Sequence, residues 1–168
     1  QKSALAAALA LSLLLCCADS EASPASSSAV TTTAVTYTGT ESRFSDSGIT
    51  SAASDGVELA GTALTIKESG TYLLSGTCAD GSIKVKKGTT GVTLVLNGLT
   101  LTSETTAPII CAKSTEVSIV AAANTENTLT DTENNNADDG GADAENAVIK
   151  CKDGSTVTLC GTGTLNVI

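Results

Sequence analysis

The chain has 168 residues and a formal net charge of −9 at pH 7, and its length is sufficient for one domain with a sizeable core. Such a charge argues against nucleic-acid binding and against electrostatic docking on anionic lipid, because both require cations on the protein. Methionine, tryptophan and histidine are absent, whereas threonine, valine and glycine are frequent. Because these residues favour strands and tight turns, the composition predicts an all-β fold.

Residues 1–19 are predicted to be an export signal. Lys2 supplies a positive start, and the apolar run Ala4–Leu15 is too short to span a bilayer by itself. The run ends at Cys16 and Cys17, which indicates a lipoprotein signal with a lipidated cysteine. A plain cleaved signal peptide is the alternative. Either interpretation places the protein outside the cell or on its surface, with membrane contact only through an N-terminal lipid.

Residues 20–34 form a Ser/Ala-rich tether, and strand patterns begin at residue 35 and continue to residue 168. In this domain, alternating segments recur in sets of three, and Ile83 and Ile109 begin equivalent segments about 26 residues apart. The predicted strands are 57–59, 63–66 and 72–74, then 83–85, 92–96 and 99–101, then 109–111, 117–119 and 128–129, and finally 149–151, 157–159 and 165–167. This recurrence predicts a parallel β-helix, a solenoid with three strands per rung. A sandwich of hairpins is the alternative.

One segment is repeated closely: Ala107–Cys111 is echoed by Ala147–Cys151. If equivalent strands stack in parallel, Cys111 and Cys151 point inward with their Cα atoms about 4.8 Å apart. We expect either a ladder of buried thiols or a disulfide, since export permits oxidation. The same alternation places four lysines, and Cys160, on the outside. The lysines are Lys84, Lys86, Lys113 and Lys150.

An acidic stretch, Asp131–Glu145, separates the two copies and is predicted to be a loop at one corner of the stack. Clustered carboxylates repel one another unless a cation or solvent screens them, and Ca²⁺ prefers six to eight oxygen ligands. The candidate ligands are Asp131, Asp138, Asp139 and Asp143. A solvated acidic loop without a metal is the alternative.

Several motifs in the domain are similar to those of secreted bacterial carbohydrate-binding proteins. The motifs are Thr71–Thr77, Asp80–Ile83, Val92–Gly98, Glu126–Asp131 and Gly161–Leu165. The resemblance covers roughly residues 36–168. It implies a right-handed parallel β-helix, the fold of pectate lyases, with bound Ca²⁺ and with further rungs beyond Ile168.

The resemblance implies a non-catalytic protein that binds cell-wall polysaccharide, either cellulose-like or acidic and pectic. Tyr37, Phe44 and Tyr72 are too few for an aromatic stacking platform, and a charge of −9 repels polygalacturonate. Ca²⁺ held between carboxylates of the protein and of the glycan removes the second difficulty.

Two other functions remain open. A polysaccharide lyase of the same fold needs a base near the substrate, but the chain has no histidine, and its single arginine, Arg43, precedes the first regular rung. The outward lysines are alternative bases, although solvated surface lysines are the simpler interpretation. We therefore expect no enzyme activity. The third function is a structural spacer or adhesin at the cell surface.

Overall fold

The computed structural model describes residues 35–132 and 147–168. The chain divides into two units, Gln1–Val30 and Thr31–Ile168, and every described residue belongs to the second. Thirteen strands make up the described part: β1 Thr40–Ser45, β2 Gly48–Ser51, β3 Val57–Ala60, β4 Ala63–Ile66, β5 Gly70–Cys78, β6 Ser82–Val85, β7 Val92–Ser103, β8 Ile109–Cys111, β9 Glu116–Ala121, β10 Glu126–Asp131, β11 Ile149–Cys151, β12 Thr156–Gly161 and β13 Thr164–Val167. The all-β prediction is confirmed. Within these residues no helix is long and apolar enough to cross a membrane.

The strands form two sheets of mixed direction. The five-stranded sheet has the order β11-β8-β6-β4-β3. The eight-stranded sheet has the order β12-β9-β7-β5-β1-β2, and β10 joins it by pairing with both β7 and β13. All pairs are parallel except two hairpins, β1–β2 and β3–β4. The described strands therefore do not form the sandwich of hairpins considered above.

The two hairpins were not predicted from the sequence. Each has a two-residue connection, because Ser45 pairs with Gly48 and Ala60 pairs with Ala63. Gly61 has a φ of 60° at the second connection, a conformation that tight hairpins require. Both hairpins lie at the start of the domain, and β1 and β4 begin the parallel pairing of the two sheets with β5 and β6.

Equivalent residues pair in register, as the echoed segment predicted. Ile149 pairs with Ile109, which pairs in turn with Ile83 and so continues a column of buried aliphatic side chains. Cys151 pairs with Cys111 in the same way. A Leu or Ile side chain contributes about 1.5–3 kcal/mol when fully buried, so each added strand extends the core.

The inward position holds for Cys111, which is fully buried, but Cys151 is exposed. The reason is that β11 is an edge strand within the described sheet, so nothing covers the far side of Cys151. Both thiols are free. Of the lysines expected outside, Lys150 is half-buried and the other three are exposed.

Strand β7 replaces two predicted strands, 92–96 and 99–101. Its pairing with β5 shifts between Leu74 and Gly76, where β7 contains one extra residue, and Gly98 has a φ of 75°. This bulge bends the strand, so that its first half pairs with β9 and its second half with β10. Asn97-Gly98 is therefore a bend within one strand rather than a turn between two.

A buried asparagine holds this bend. Asn127 is completely buried, and its side-chain oxygen accepts hydrogen bonds from the backbone amides of Gly98 and Leu99, both at 2.9 Å. Its amide nitrogen donates to the hydroxyl of Thr125 at 2.9 Å and to the carbonyl of Thr164 at 3.1 Å. All four hydrogen-bonding positions of the side chain are satisfied, and they connect β7, β10 and β13.

Replacing Asn127 by alanine leaves the amides of Gly98 and Leu99 without an acceptor. Because an unsatisfied buried group costs about 1–3 kcal/mol, we expect the free energy of unfolding to fall by about 2–4 kcal/mol in urea denaturation. Asn97→Ala is the matched control, since it removes an exposed amide from the same bend and should cost less than about 0.5 kcal/mol. Equal losses in the two variants would contradict the role of Asn127.

The stacked thiols should differ in reactivity. Burial, and secondarily the adjacent thiol of Cys151, raise the pKa of Cys111 to about 12. Only a thiolate attacks a disulfide reagent. In a short pulse of such a reagent at neutral pH, we expect modification at Cys151 and protection at Cys111, read by peptide mass mapping. The same pulse in denaturant should modify both, and equal modification of the folded protein would refute the assignment.

Candidate functional site

Only one of the four predicted Ca²⁺ ligands lies within the described residues. Asp131 is half-buried at the end of β10, where it pairs with Ser103 of β7. Asp138, Asp139 and Asp143 lie outside the described residues, as do the predicted lipidation sites Cys16 and Cys17. In the ranges 35–132 and 147–168, no group of three or more acidic, cysteine or histidine side chains is placed to hold a metal.

Beside Asp131 lies a buried oxygen without a partner. The side-chain hydroxyl of Thr132 is the one buried side-chain polar atom of the described residues that makes no hydrogen bond. The backbone amides hold this segment in place, since Asp131 donates to the carbonyl of Ile168 at 2.9 Å and Thr132 to that of Ser103 at 3.3 Å. Carboxylate and hydroxyl oxygens are both ligands of the kind that hard cations take.

A groove of about 340 Å³ crosses the outer side of the eight-stranded sheet. We call it the Arg43 groove. Its lining includes Glu41 and Arg43 of β1, Thr50 of β2, Leu73 and Ser75 of β5, and Asn97 of β7. Arg43 pairs directly with Thr50 on one side and with Ser75 on the other. Pairing therefore aligns one polar side chain from each of these strands in a transverse row.

The alternation of β1 exposes the functional groups of the groove. Ser42 and Phe44 are buried, so Glu41 and Arg43 point to solvent. Arg43 forms no ion pair with a described carboxylate, and its guanidinium can donate five hydrogen bonds in a planar fork. Together with the carboxylate of Glu41, the groove offers donors and acceptors side by side, which suits the hydroxyls of a sugar.

Arg43 precedes the predicted three-strand sets, but the structure places it on a paired strand of the eight-stranded sheet. Strand β1 pairs in parallel with β5 over five residues, so Arg43 belongs to the sheet. Sequence analysis missed this because Phe44 is the only large apolar residue of β1, and one such residue does not establish an alternating pattern.

A second cleft, also of about 340 Å³, lies at the turns that follow the five-stranded sheet. Its lining includes Lys67, Lys86 and Lys87, with Thr89 and Thr90 beside them. Carboxylates are scarce here, and Glu68 is the one acidic residue that lines the cleft. The cleft is therefore basic in a chain that is acidic overall.

Neither Cys78 nor Cys111 has the properties of a nucleophile. Burial is the main cause that raises the pKa of both thiols, and a catalytic cysteine requires the opposite shift. The side chain of Lys113 is not a good base either. Asp153, hydrogen-bonded to it at 2.9 Å, raises the pKa of Lys113 and so keeps its amine protonated.

Comparison with known proteins relates the chain to carbohydrate-binding domain-containing proteins. A family model of carbohydrate-binding domain-containing proteins matches residues 60–168. A carbohydrate-binding domain-containing protein of Acetivibrio thermocellus is 34% identical over 114 residues, 67% of this chain and 39% of that protein. A solved structure of a polysaccharide lyase-like protein from C. thermocellum, a gadolinium derivative, shares 29% identity with a TM-score of 0.67, covering 76% of this chain and 51% of that one.

This chain thus spans well under two thirds of either relative. The resemblance to carbohydrate-binding proteins found in the sequence motifs is confirmed by the family match, which covers more than half of the chain. The chain belongs to the family of carbohydrate-binding domain-containing proteins.

Proposed function

We propose that this protein binds cell-wall polysaccharide, cellulose-like or acidic, at the cell surface and does not cleave it. Membership of a carbohydrate-binding family supports polysaccharide as the partner. The observation that carries the proposal is the Arg43 groove, because its exposed guanidinium, carboxylate, amide and hydroxyl groups match the hydrogen-bonding groups of sugars. Leu73 adds an apolar surface to the same groove.

The proposal includes the fold and the location. In-register parallel pairing of β5, β7, β9 and β12, and separately of β4, β6, β8 and β11, supports a right-handed parallel β-helix with three strands per rung. Lys2 and the apolar run Ala4–Leu15 support export. A lipid on Cys16 or Cys17 would then hold the protein at the membrane.

A lyase is the second candidate function, since the solved relative is described as polysaccharide lyase-like. General-base catalysis requires a group that is deprotonated near the working pH. The guanidinium of Arg43 stays charged in proteins, and Asp153 raises the pKa of Lys113. Binding without cleavage therefore fits the described side chains better.

Charge removal from the groove should weaken glycan binding. A hydrogen bond to a charged group contributes about 1.5–3 kcal/mol, so we expect Arg43→Gln to lower the affinity for a cello-oligosaccharide about tenfold or more, measured by calorimetry. Lys84→Gln is the matched control, because it removes one positive charge from the other sheet. Equal effects would argue against the groove. An ultraviolet-absorbing unsaturated product released from polygalacturonate would establish the lyase instead.

We also propose that Ca²⁺ binds at the start of the acidic stretch, through Asp131, Asp138, Asp139 and Asp143. The unpaired hydroxyl of Thr132, the residue that follows Asp131, supports this position. Without the ion, clustered carboxylates would repel an acidic glycan, so Ca²⁺ should strengthen binding to such a glycan.

A Ca²⁺ titration by calorimetry tests the site. Because each charged ligand contributes to affinity, we expect the double variant Asp138→Asn and Asp139→Asn, and separately Asp131→Asn, to weaken Ca²⁺ binding about tenfold or more. Asp153→Asn is the control, since that carboxylate is exposed and already paired with Lys113. Absence of heat at millimolar Ca²⁺ in the unmodified protein would remove the site.

A further inference from the structure

The positive charges of the chain are concentrated on one side of the fold. Of its nine basic residues, seven lie on the outer side of the five-stranded sheet or in the turns that follow it. We call this surface the lysine face. Its members are Lys67, Lys84, Lys86, Lys87, Lys113, Lys150 and Lys152. The chain as a whole has 18 acidic residues, so this segregation is not a consequence of composition.

Register alone brings these lysines together. Lys84 and Lys150 both pair with Ile110, one on each side of it, so the two lysines lie two strands apart on one face. Backbone hydrogen bonding between the strands continues one residue beyond the ends of β6 and β11. The backbone amide of Lys86 donates to the carbonyl of Ile66, and that of Lys152 donates to the carbonyl of Cys111. The side chain of Ile110 is only 7% exposed, although it points outward, as expected where long lysine stems cover an apolar residue.

Carboxylates neutralise only part of the lysine face. Lys67 lies 3.6 Å from Glu58, and Lys113 lies 2.9 Å from Asp153. These ion pairs are largely exposed, so they are weak and leave much of the field in place. Lys84, Lys86 and Lys87 are exposed and form no ion pair with a described carboxylate. These three lysines supply the charge of the lysine face that no described carboxylate pairs with.

The unpaired charges form a row that suits a linear polyanion. Lys84 projects outward from β6, and Lys86 and Lys87 follow directly after the strand ends at Val85. Successive outward positions of an extended strand are about 6.6 Å apart. A polyuronate, which carries one carboxylate on each sugar, would present several carboxylates to this row. The exposed hydroxyl of Thr90, which lines the cleft at the turns that follow the five-stranded sheet, can bond to its sugar hydroxyls.

We propose that the lysine face binds a polyuronate directly, with carboxylates of the glycan in contact with Lys84, Lys86 and Lys87. This inference rests on the proposed function and specifies, for acidic glycans, a surface separate from the Arg43 groove. Because carboxylates of the glycan meet ammonium groups here, this contact requires no bridging cation. The net charge of −9 then disfavours the approach of an acidic glycan from a distance, whereas the contact itself is between opposite charges.

The test removes the three unpaired charges together, in the triple variant Lys84→Gln, Lys86→Gln and Lys87→Gln. The control adds three negative charges elsewhere, at exposed turn positions that line neither cleft: Ser47→Glu, Thr105→Glu and Thr162→Glu. The two variants therefore have the same net charge. Affinities for polygalacturonate and for a cello-oligosaccharide are measured by calorimetry, with Ca²⁺ and with EDTA, at two salt concentrations. Thermal unfolding checks that each variant is folded.

We expect the lysine variant to bind polygalacturonate about tenfold or more weakly than the control, with a smaller salt dependence because fewer counterions are released. Binding of the cello-oligosaccharide should not change. EDTA should weaken polygalacturonate binding. The binding that persists in EDTA should still be reduced by the lysine substitutions. The corresponding arginine variant, which keeps all three charges, should retain affinity and so exclude a folding defect.

Four results would overturn the inference. The first is equal affinity of the lysine variant and the control for polygalacturonate. The second is complete loss of that binding in EDTA with no effect of the lysines, which would indicate a Ca²⁺ bridge. The third is binding of the cello-oligosaccharide alone, which overturns this inference and leaves the proposed function intact. Binding of neither glycan overturns both and leaves a structural spacer.

Discussion

In-register parallel pairing is the constraint on which the rest of this structure depends. Because successive side chains of a strand point to opposite faces, a slip of one residue would exchange the inner and outer sets of every paired strand. Ile83, Ile109 and Ile149 occupy one column in the interior for this reason. The same constraint acts on the outside, where it aligns Thr50, Arg43 and Ser75 across the Arg43 groove and assembles the lysine face. Core and candidate binding surfaces are two consequences of one register.

The chain must bend between successive parallel strands. At one of these bends the interior contains a side-chain amide instead of an aliphatic side chain. The bulge in β7 exposes two backbone N–H groups to the core, those of Gly98 and Leu99. Unpaired, they would cancel much of what burial of the surrounding aliphatic residues contributes. Asn127 pairs both of them and also bonds to the next strand through Thr164. A leucine at position 127 would fill space, but it would leave the bend without acceptors.

The echo between residues 107–111 and 147–151 was sufficient to predict which strands stack and in which register, because it recorded identity at equivalent positions. It did not reveal features that depend on a single strand. β1 has one large apolar residue, so its pairing with β5, and with it the position of Arg43 inside a groove, was not apparent. Alternation predicts each lysine separately as an outward residue. Only the pairing of the strands shows that the lysines form one surface. The role of Asn127 was not apparent because three of its four partners lie 28 to 37 positions away in the sequence. For the Ca²⁺ site, the structure describes Asp131 alone.

Net charge is a poor guide to partners when charges are segregated. At physiological ionic strength the field of an exposed charge is screened over about 8 Å, whereas neighbouring strands are about 4.8 Å apart. A ligand on the lysine face is therefore influenced by several lysines and by few of the distant carboxylates. Nucleic acid remains a poor fit for a different reason. Single strands are bound largely by stacking bases on aromatic rings, but Phe44 and Tyr72 are buried in the core, and Tyr37 precedes the first strand. A surface with ammonium groups and hydroxyls but no exposed ring among its described residues favours an anionic polymer without bases, which is what an acidic polysaccharide is.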